Sequence, residues 1–270
     1  MKDGERVSVL TSIWRDLMYE EKVPSTPQTE HPAYRLPYVD QDYMRSDPLR
    51  GVRLQLELEK PESILQAAGI ESTVVLFGGA RIPAPKDRAR ARTATLAGLA
   101  DFYEEARKFA EIVTKESLKR DGKELVVVTG GGPGVMEAGN LGAEQAGGKS
   151  IGLNIVLPHE QAPNLHVTPE LCFNFHYFAI RKMHFLMRAK AIAVFPGGFG
   201  TLDELFETLT LIQTDRMEKV PVLLFGEEFW RRIVNWEAIA DAGTISDEDL
   251  NLFRFVETAD EAWGAIAATR

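Results

Sequence analysis

A carboxylate lies within one helical turn of a glycine-rich loop at residues 196–204, which read PGGFGTLDE. The apolar run 191–195 before the loop is typical of a buried strand, and a helical pattern follows it. Glycines at such a junction let backbone N–H groups surround an anion, and the helix N-terminus adds the positive end of its dipole. The pattern predicts a phosphate-binding loop with Glu204 as a reactive group beside it. The alternative is that Glu204 only complements the helix dipole.

Two further strand-to-helix junctions in the chain are rich in glycine. The run ELVVVT at 124–129 is followed by GGGPG at 130–134, and TVVLF at 73–77 is followed by GGAR at 78–81. In an open parallel sheet the loops after the strand carboxyl ends meet along one edge, where ligands bind. The three loops are therefore expected to form one anion site.

Two familiar phosphate motifs do not fit these loops. Glu137 occupies the place where the last glycine of a dinucleotide fingerprint belongs, and its charge would repel a pyrophosphate. The run AEQAGGKS at 143–150 lacks the first glycine of a Walker motif and leads from a helix into a strand, the reverse of the required order. Both nucleotide motifs are excluded.

Composition narrows the class of partner. A net charge of −9 over 270 residues argues against nucleic acid or an anionic membrane as a partner of the whole surface. A small anion remains compatible, because a local nest of N–H groups acts regardless of global charge. Cys172 is the only cysteine, which excludes an intrachain disulfide and a thiolate metal cluster, and its apolar neighbours favour a core thiol over a nucleophile. The histidines are too scattered to predict a metal site.

Strands that alternate with helical segments predict an α/β chain with a Rossmann-like, doubly wound parallel sheet flanked by helices. Residues 1–60, interrupted by prolines, are predicted to form an extended or helical N-terminal arm, and residues 61–270 the nucleotide-binding domain. The chain shows no signal-peptide pattern and no apolar stretch of about 18 residues, so a cytoplasmic protein is expected. Further segments are predicted as helices at 7–21, 87–120, 229–241 and 259–268, and as strands at 151–157 and 220–225.

Three segments together resemble the LONELY GUY (LOG) family: GGGPGVME at 130–137, the pair Arg181–Lys182, and PGGFGTLDE at 196–204. The resemblance covers about residues 70–230, and the last motif is the most specific. It implies a phosphoribohydrolase acting on cytokinin ribotides, AMP or another nucleoside 5′-monophosphate. It also implies a homodimer or larger homo-oligomer, with no cofactor and no metal.

The resemblance implies catalysis by an arginine and a glutamate. The glutamate corresponds to Glu204 and the arginine to Arg181, with Arg188 as the alternative because it lies closer to the loop. An oxocarbenium-like ribose needs a carboxylate near its anomeric carbon, and a guanidinium can bind phosphate or donate to the leaving base. The residues expected to bind substrate are Gly131, Gly132, Gly134, Glu137, Lys182, Gly197, Gly198, Gly200 and Thr201.

Two other functions remain open. Some proteins of this fold bind molybdenum cofactor, so the chain could be a non-catalytic carrier of a phosphorylated cofactor. Family members also carry the label lysine decarboxylase, but that reaction calls for pyridoxal phosphate, and no lysine here has a recognisable Schiff-base context. The sequence does not indicate which base is preferred.

Overall fold

The computed structural model of the protein describes residues 23–157 and 162–269. The chain divides into two compact units, Met1–Arg53 and Leu54–Arg270. The helix predicted at 7–21 lies outside the described residues. Nothing in the described parts of the chain is a helix long and apolar enough to cross a membrane.

The described part of the first unit consists of short helical pieces between prolines. Helix α1 is Pro27–Glu30 and α2 is Gln41–Arg45, with 3-10 turns at Pro32–Tyr34 and Asp47–Leu49. Asp40 starts α2 by accepting two backbone N–H groups on its carboxylate. Pro27, Pro32 and Pro48 each lie at the start of a piece, where a proline suits the first turn and cannot continue a preceding helix.

The second unit contains a seven-stranded sheet in the order β4-β3-β2-β1-β5-β6-β7, and every neighbouring pair is parallel. All residues of β1 and β2 are buried, as expected for parallel strands covered on both faces. The predicted Rossmann-like fold is confirmed. The strands are β1 Thr73–Phe77, β2 Val126–Thr129, β3 Ser150–Ile155, β4 Cys172–Phe175, β5 Ala189–Val194, β6 Val222–Phe225 and β7 Arg254–Val256.

Helices cover both faces of this sheet. They are α3 Arg50–Ala67, α4 Ala94–Gly98, α5 Asp101–Leu118, α6 Val135–Gln145, α7 Phe178–Leu186, α8 Phe199–Gln213, α9 Glu227–Ile233, α10 Trp236–Asp241 and α11 Ala259–Ala267. Residues of α5, α6 and α11 pack into one apolar core, and residues of α3, α7, α8, α9 and α10 pack into the other. The chain changes face between β1 and β5, so their carboxyl ends form the switch point where open α/β sheets bind ligands.

Two of the predicted helices are interrupted. The segment predicted as one helix at 87–120 forms a 3-10 turn at Pro85–Arg90, then α4, then α5, because the Thr93 hydroxyl accepts the Leu96 N–H and starts a new helix inside the segment. The segment predicted at 229–241 forms α9 and α10, because Asn235 caps the second of them.

Candidate active site

The three glycine-rich loops meet at the switch point. The N–H of Gly79, after β1, donates to the carbonyl of Pro196, after β5, at 2.9 Å. A side chain on Gly134, after β2, would overlap the carbonyl of Gly79. The loop after β1 therefore touches both of the others, and the absence of side chains on these glycines permits the contact.

Two helices that start in these loops have glycine at the N-cap and no side-chain cap. These are α6, capped by Gly134, and α8, capped by Gly198. Their first-turn N–H groups have no intrahelical acceptor. The N–H of Val135 donates to the Gly79 carbonyl at 3.3 Å. The other first-turn N–H groups have no acceptor among the described residues, so they can bind an anion. A Cβ built on Gly198 or Gly200 meets nothing within 4 Å, so this backbone borders open space.

The loop after β5 is shaped by Thr201. Its side chain lies directly against the Cα of Gly197, so any other residue at 197 would overlap it. Thr201 is buried, whereas Phe199, two residues earlier, is 92% exposed. The loop therefore presents backbone and one hydroxyl group inward, and an aromatic ring outward.

Glu204, in α8, is buried without a hydrogen bond to its carboxylate from the residues that the structure describes. Burial raises its pKa from an ordinary 4.5 to about 7, although the charges of Lys182 and Arg181 lower it. The carboxyl group therefore titrates near neutral pH. A group of this kind can accept or donate a proton at the pH of most cells.

Arg181, in α7, is one of the two cations whose charges act on Glu204, together with Lys182. Its Nε donates to the Leu153 carbonyl at the end of β3 at 2.7 Å, and its Cζ lies 5.1 Å from the centre of the Phe185 ring. Its Nη2 packs against Gly130, since a Cβ there would lie 2.7 Å away. Burial lowers the pKa of Arg181, and the charge of Glu204 raises it. No carboxylate in residues 23–157 or 162–269 forms an ion pair with it, so its terminal nitrogens are open to a ligand.

Lys182 and Arg188 have carboxylate partners within the protein. Lys182 Nζ lies 2.8 Å from Asp203 and 3.0 Å from Glu207, which ties α7 to α8. Arg188 forms a bidentate pair with Glu62, with its Nη1 at 2.7 Å from Oε2. Of the two arginines considered from the sequence, the structure places Arg181 beside Glu204.

The start of α7 is held by α3. The Glu57 carboxylate accepts the N–H groups of His176 at 2.9 Å and Tyr177 at 3.0 Å. The Nε2 of His184, about two turns further along α7, lies 3.1 Å from the Glu57 carbonyl oxygen. This carboxylate binds the two N–H groups just before the helix and complements the helix dipole, so it holds the start of the helix that carries Arg181.

The loop after β2 is supported by the side-chain amides of Asn154 and Asn164. Gly131 has φ +73°, and a side chain there would overlap the Asn154 carboxamide. Asn164 donates from its side chain to the carbonyls of Gly131 and Gly132 at 3.1 and 2.9 Å. Asn154 and Asn164 were not marked by any sequence pattern. Their only signal is their place near β3, the neighbour of the strand that ends in this loop: Asn154 lies in β3 and Asn164 follows it.

Glu137, in the first turn of α6, lies near Tyr103 of α5. Burial raises the pKa of Tyr103 to about 12, and the negative charge of Glu137 adds to the increase. Asp203 and Glu207, rather than Glu137, are the acids whose charges raise the pKa of Glu204. Glu137 is thus at the same sheet edge but is not part of the Arg181–Glu204 pair.

A metal site is not apparent, since no three histidine, cysteine, aspartate or glutamate residues in the described ranges could hold an ion together. Cys172 is only partly buried, and burial raises the pKa of its thiol. A raised pKa disfavours the thiolate that a nucleophile needs. The thiol is therefore not part of the candidate site.

Comparison with known proteins gives one family match. Residues 136–266 match the model of the family described as "Possible lysine decarboxylase". No curated protein matches the chain. Solved structures with a similar fold include a molybdenum cofactor binding protein from Rippkaea orientalis, at 18% identity and a TM-score of 0.48 over 74% of this chain and 97% of that one. Another is the molybdenum cofactor carrier protein from Chlamydomonas reinhardtii, at 18% identity and a TM-score of 0.44 over 73% of this chain and 97% of that one. Neither likeness carries an argument about this chain's ligand.

Proposed function

We propose that this chain, whose residues 136–266 match the family described as "Possible lysine decarboxylase", is a LOG-like nucleoside 5′-monophosphate phosphoribohydrolase. The reaction breaks the N-glycosidic bond with water and releases free base and ribose 5-phosphate. The substrate is a cytokinin ribotide, AMP or a related monophosphate.

The observation that carries the proposal is the Arg181–Glu204 pair. A partly buried guanidinium without an ion-pair partner and a buried carboxyl group without a hydrogen bond both destabilise the fold. They lie beside two helix N-termini that are open to an anion. A phosphorylated ribose would satisfy all three features at once, because it brings an anion, hydroxyl groups and a developing positive charge.

In this reaction the substrate phosphate binds to the first-turn N–H groups of α6 and α8 and to the Thr201 hydroxyl group. The Glu204 carboxylate stabilises the positive charge that develops at the anomeric carbon and orients the attacking water. Arg181 binds the phosphate or the leaving base through its two terminal nitrogens, since its Nε is held by Leu153. Glu137 positions the ribose from the start of α6.

The direct test is incubation of the protein with AMP and with cytokinin ribotides, followed by chromatographic separation of the products. Free base and ribose 5-phosphate are expected from at least one monophosphate, and none from the matching nucleoside. Glu204→Gln should abolish release, while Glu218→Gln, at a side chain that is 90% exposed, should retain it. Absence of free base from every monophosphate tested would reject the proposal.

A second candidate is a carrier that binds a phosphorylated cofactor without cleaving it. The open N–H groups of α6 and α8 would hold any phosphomonoester, including the phosphate of molybdenum cofactor. Mass spectrometry of the native protein as purified tests this function, since a carrier should retain its cofactor. An absorbance scan for pyridoxal phosphate tests the decarboxylase label in the same sample.

We further propose that the protein is a homodimer or larger homo-oligomer, as the family resemblance implies. The outer surfaces of α7 and α8 support this, because Phe178, Met183, Met187 and Phe206 are exposed there. A groove of about 580 Å³ passes along Met183 and Met187. Light scattering should give at least twice the chain mass, and Met183→Asp should lower it.

A further inference from the structure

Asn164 holds two carbonyl groups of the loop after β2. Its side-chain Nδ2 donates to Gly131 O at 3.1 Å and to Gly132 O at 2.9 Å. Its backbone N–H donates to Gly131 O at 2.8 Å as well. The Gly131 carbonyl is therefore turned toward Asn164 by two separate donors.

This contact determines where an N–H group points. The peptide between Gly131 and Gly132 is trans, since the described residues contain no cis peptide bond. In a trans peptide the N–H is directed opposite to the C=O, so the N–H of Gly132 points away from Asn164. The next residue, Pro133, has no N–H to contribute. Gly132 therefore supplies an N–H group that has no acceptor among the described residues and is available to a ligand.

The N–H group of the preceding residue, Gly131, is already engaged. Gly131 N donates to Thr129 Oγ1 at 3.0 Å, and that hydroxyl group donates to Asn140 Oδ1 at 2.7 Å. Asn140 in turn donates to Ser150 Oγ at 2.9 Å and accepts from Asn164 Nδ2 at 2.9 Å. Thr129 and Asn140 are completely buried, so this network forms a rigid support under the loop.

The geometry points to Asn164 as a positioning residue that directs the Gly132 N–H at the substrate phosphate. This inference rests on the proposed function. Asn164 itself touches no substrate, because its amide group is used by the loop carbonyls and by Asn140. Its loss would free the peptide between Gly131 and Gly132 to rotate. The site would then lose anion affinity without losing Arg181 or Glu204.

The test compares Asn164→Ala and Asn164→Ser with Asn174→Ala, which removes an exposed asparagine of β4 that makes no side-chain hydrogen bond among the described residues. Calorimetry measures the affinity for ribose 5-phosphate and for ribose, and kinetics measure KM and kcat for AMP. Both Asn164 variants should weaken ribose 5-phosphate binding and raise KM by about tenfold, the loss of one charge-assisted hydrogen bond. Ribose affinity should be unchanged, kcat should fall less than KM rises, and the control should behave as wild type.

A measurement on the wild-type protein covers the case in which the variants fail to fold. In a titration with ribose 5-phosphate followed by NMR, the Gly132 amide resonance should shift strongly and that of Gly131 weakly. If wild type binds ribose 5-phosphate but Gly132 does not shift, or folded Asn164 variants keep full affinity, the role of Asn164 is rejected and the proposed function stands. If wild type binds no ribose 5-phosphate and cleaves no monophosphate, both are rejected.

Discussion

Replacing Glu204 by glutamine should stabilise the fold at alkaline pH while it abolishes turnover. Burial raises the pKa of this carboxyl group from 4.5 to about 7, so the folded protein binds its proton more tightly than the unfolded chain does. The glutamine side chain resembles the protonated glutamic acid in shape and carries no charge that burial would penalise. The substitution therefore removes a cost that the candidate site imposes on the fold.

The size and pH range of the effect follow from that shift. A difference of about 2.5 pKa units corresponds to about 3 kcal/mol at most, at 1.36 kcal/mol per unit. Because the pKa is raised, the wild-type protein is not penalised below about pH 4.5, loses stability as pH rises toward about 7, and carries the full cost above that. The stability of Glu204→Gln relative to wild type should therefore be near zero at about pH 4.5. It should reach about 1 to 3 kcal/mol by about pH 8, where the wild-type carboxylate is charged; the attraction of Arg181 and Lys182 is already contained in the net pKa shift.

Urea denaturation followed by tryptophan fluorescence measures this difference at both pH values. The control is Glu218→Gln, because that carboxylate is 90% exposed on the side chain and should show no pH-dependent change relative to wild type. The result that would contradict the reasoning is a Glu204→Gln protein less stable than wild type at about pH 8, or a difference equal at both pH values.

Three further predictions concern the same site. Arg181→Lys should lower kcat/KM by at least about 100-fold in steady-state kinetics. Arg188→Lys should leave kcat/KM within about threefold and lower the free energy of unfolding by about 1 kcal/mol in denaturation. Lys182→Met removes a positive charge that lowers the pKa of Glu204. The acid limb of the kcat/KM profile, expected near pH 7, should therefore move to higher pH. If the limb does not move, it does not report the titration of Glu204. Gly131→Ala should lower the free energy of unfolding by about 2 kcal/mol or more, because φ is +73° there and a buried amide blocks the side chain; a melting temperature equal to that of wild type would contradict it.

The fold follows from local signals in the sequence. Apolar runs that end in glycine mark the exits of β1, β2 and β5, and the parallel order places these exits together. Glu204 could be singled out because it lies one turn from such an exit. For the same reason the structure finds it at the switch point, beside Arg181.

The remaining parts of the site depend on contacts between distant segments. Asn164 reaches the loop after β2 across 32 residues of sequence, and no periodicity signals such a contact. The engagement of Lys182 by two acids of α8 depends on how α7 and α8 pack, which a motif does not specify. The break at Thr93 comes from a single cap that competes with a strong helical pattern.

The contact of Glu57 with the beginning of α7 bears on how far the chain can be shortened. A chain that starts at residue 61 would keep every strand and both glycine-rich helix starts, yet it would leave the amides of His176 and Tyr177 without their acceptor. The first turn of α7 would then fray, and Arg181 lies within that turn. Such a truncated protein would retain the sheet and its glycine loops, but the Arg181 guanidinium would lose its fixed position. Phosphate binding should therefore survive the truncation better than nucleotide turnover does.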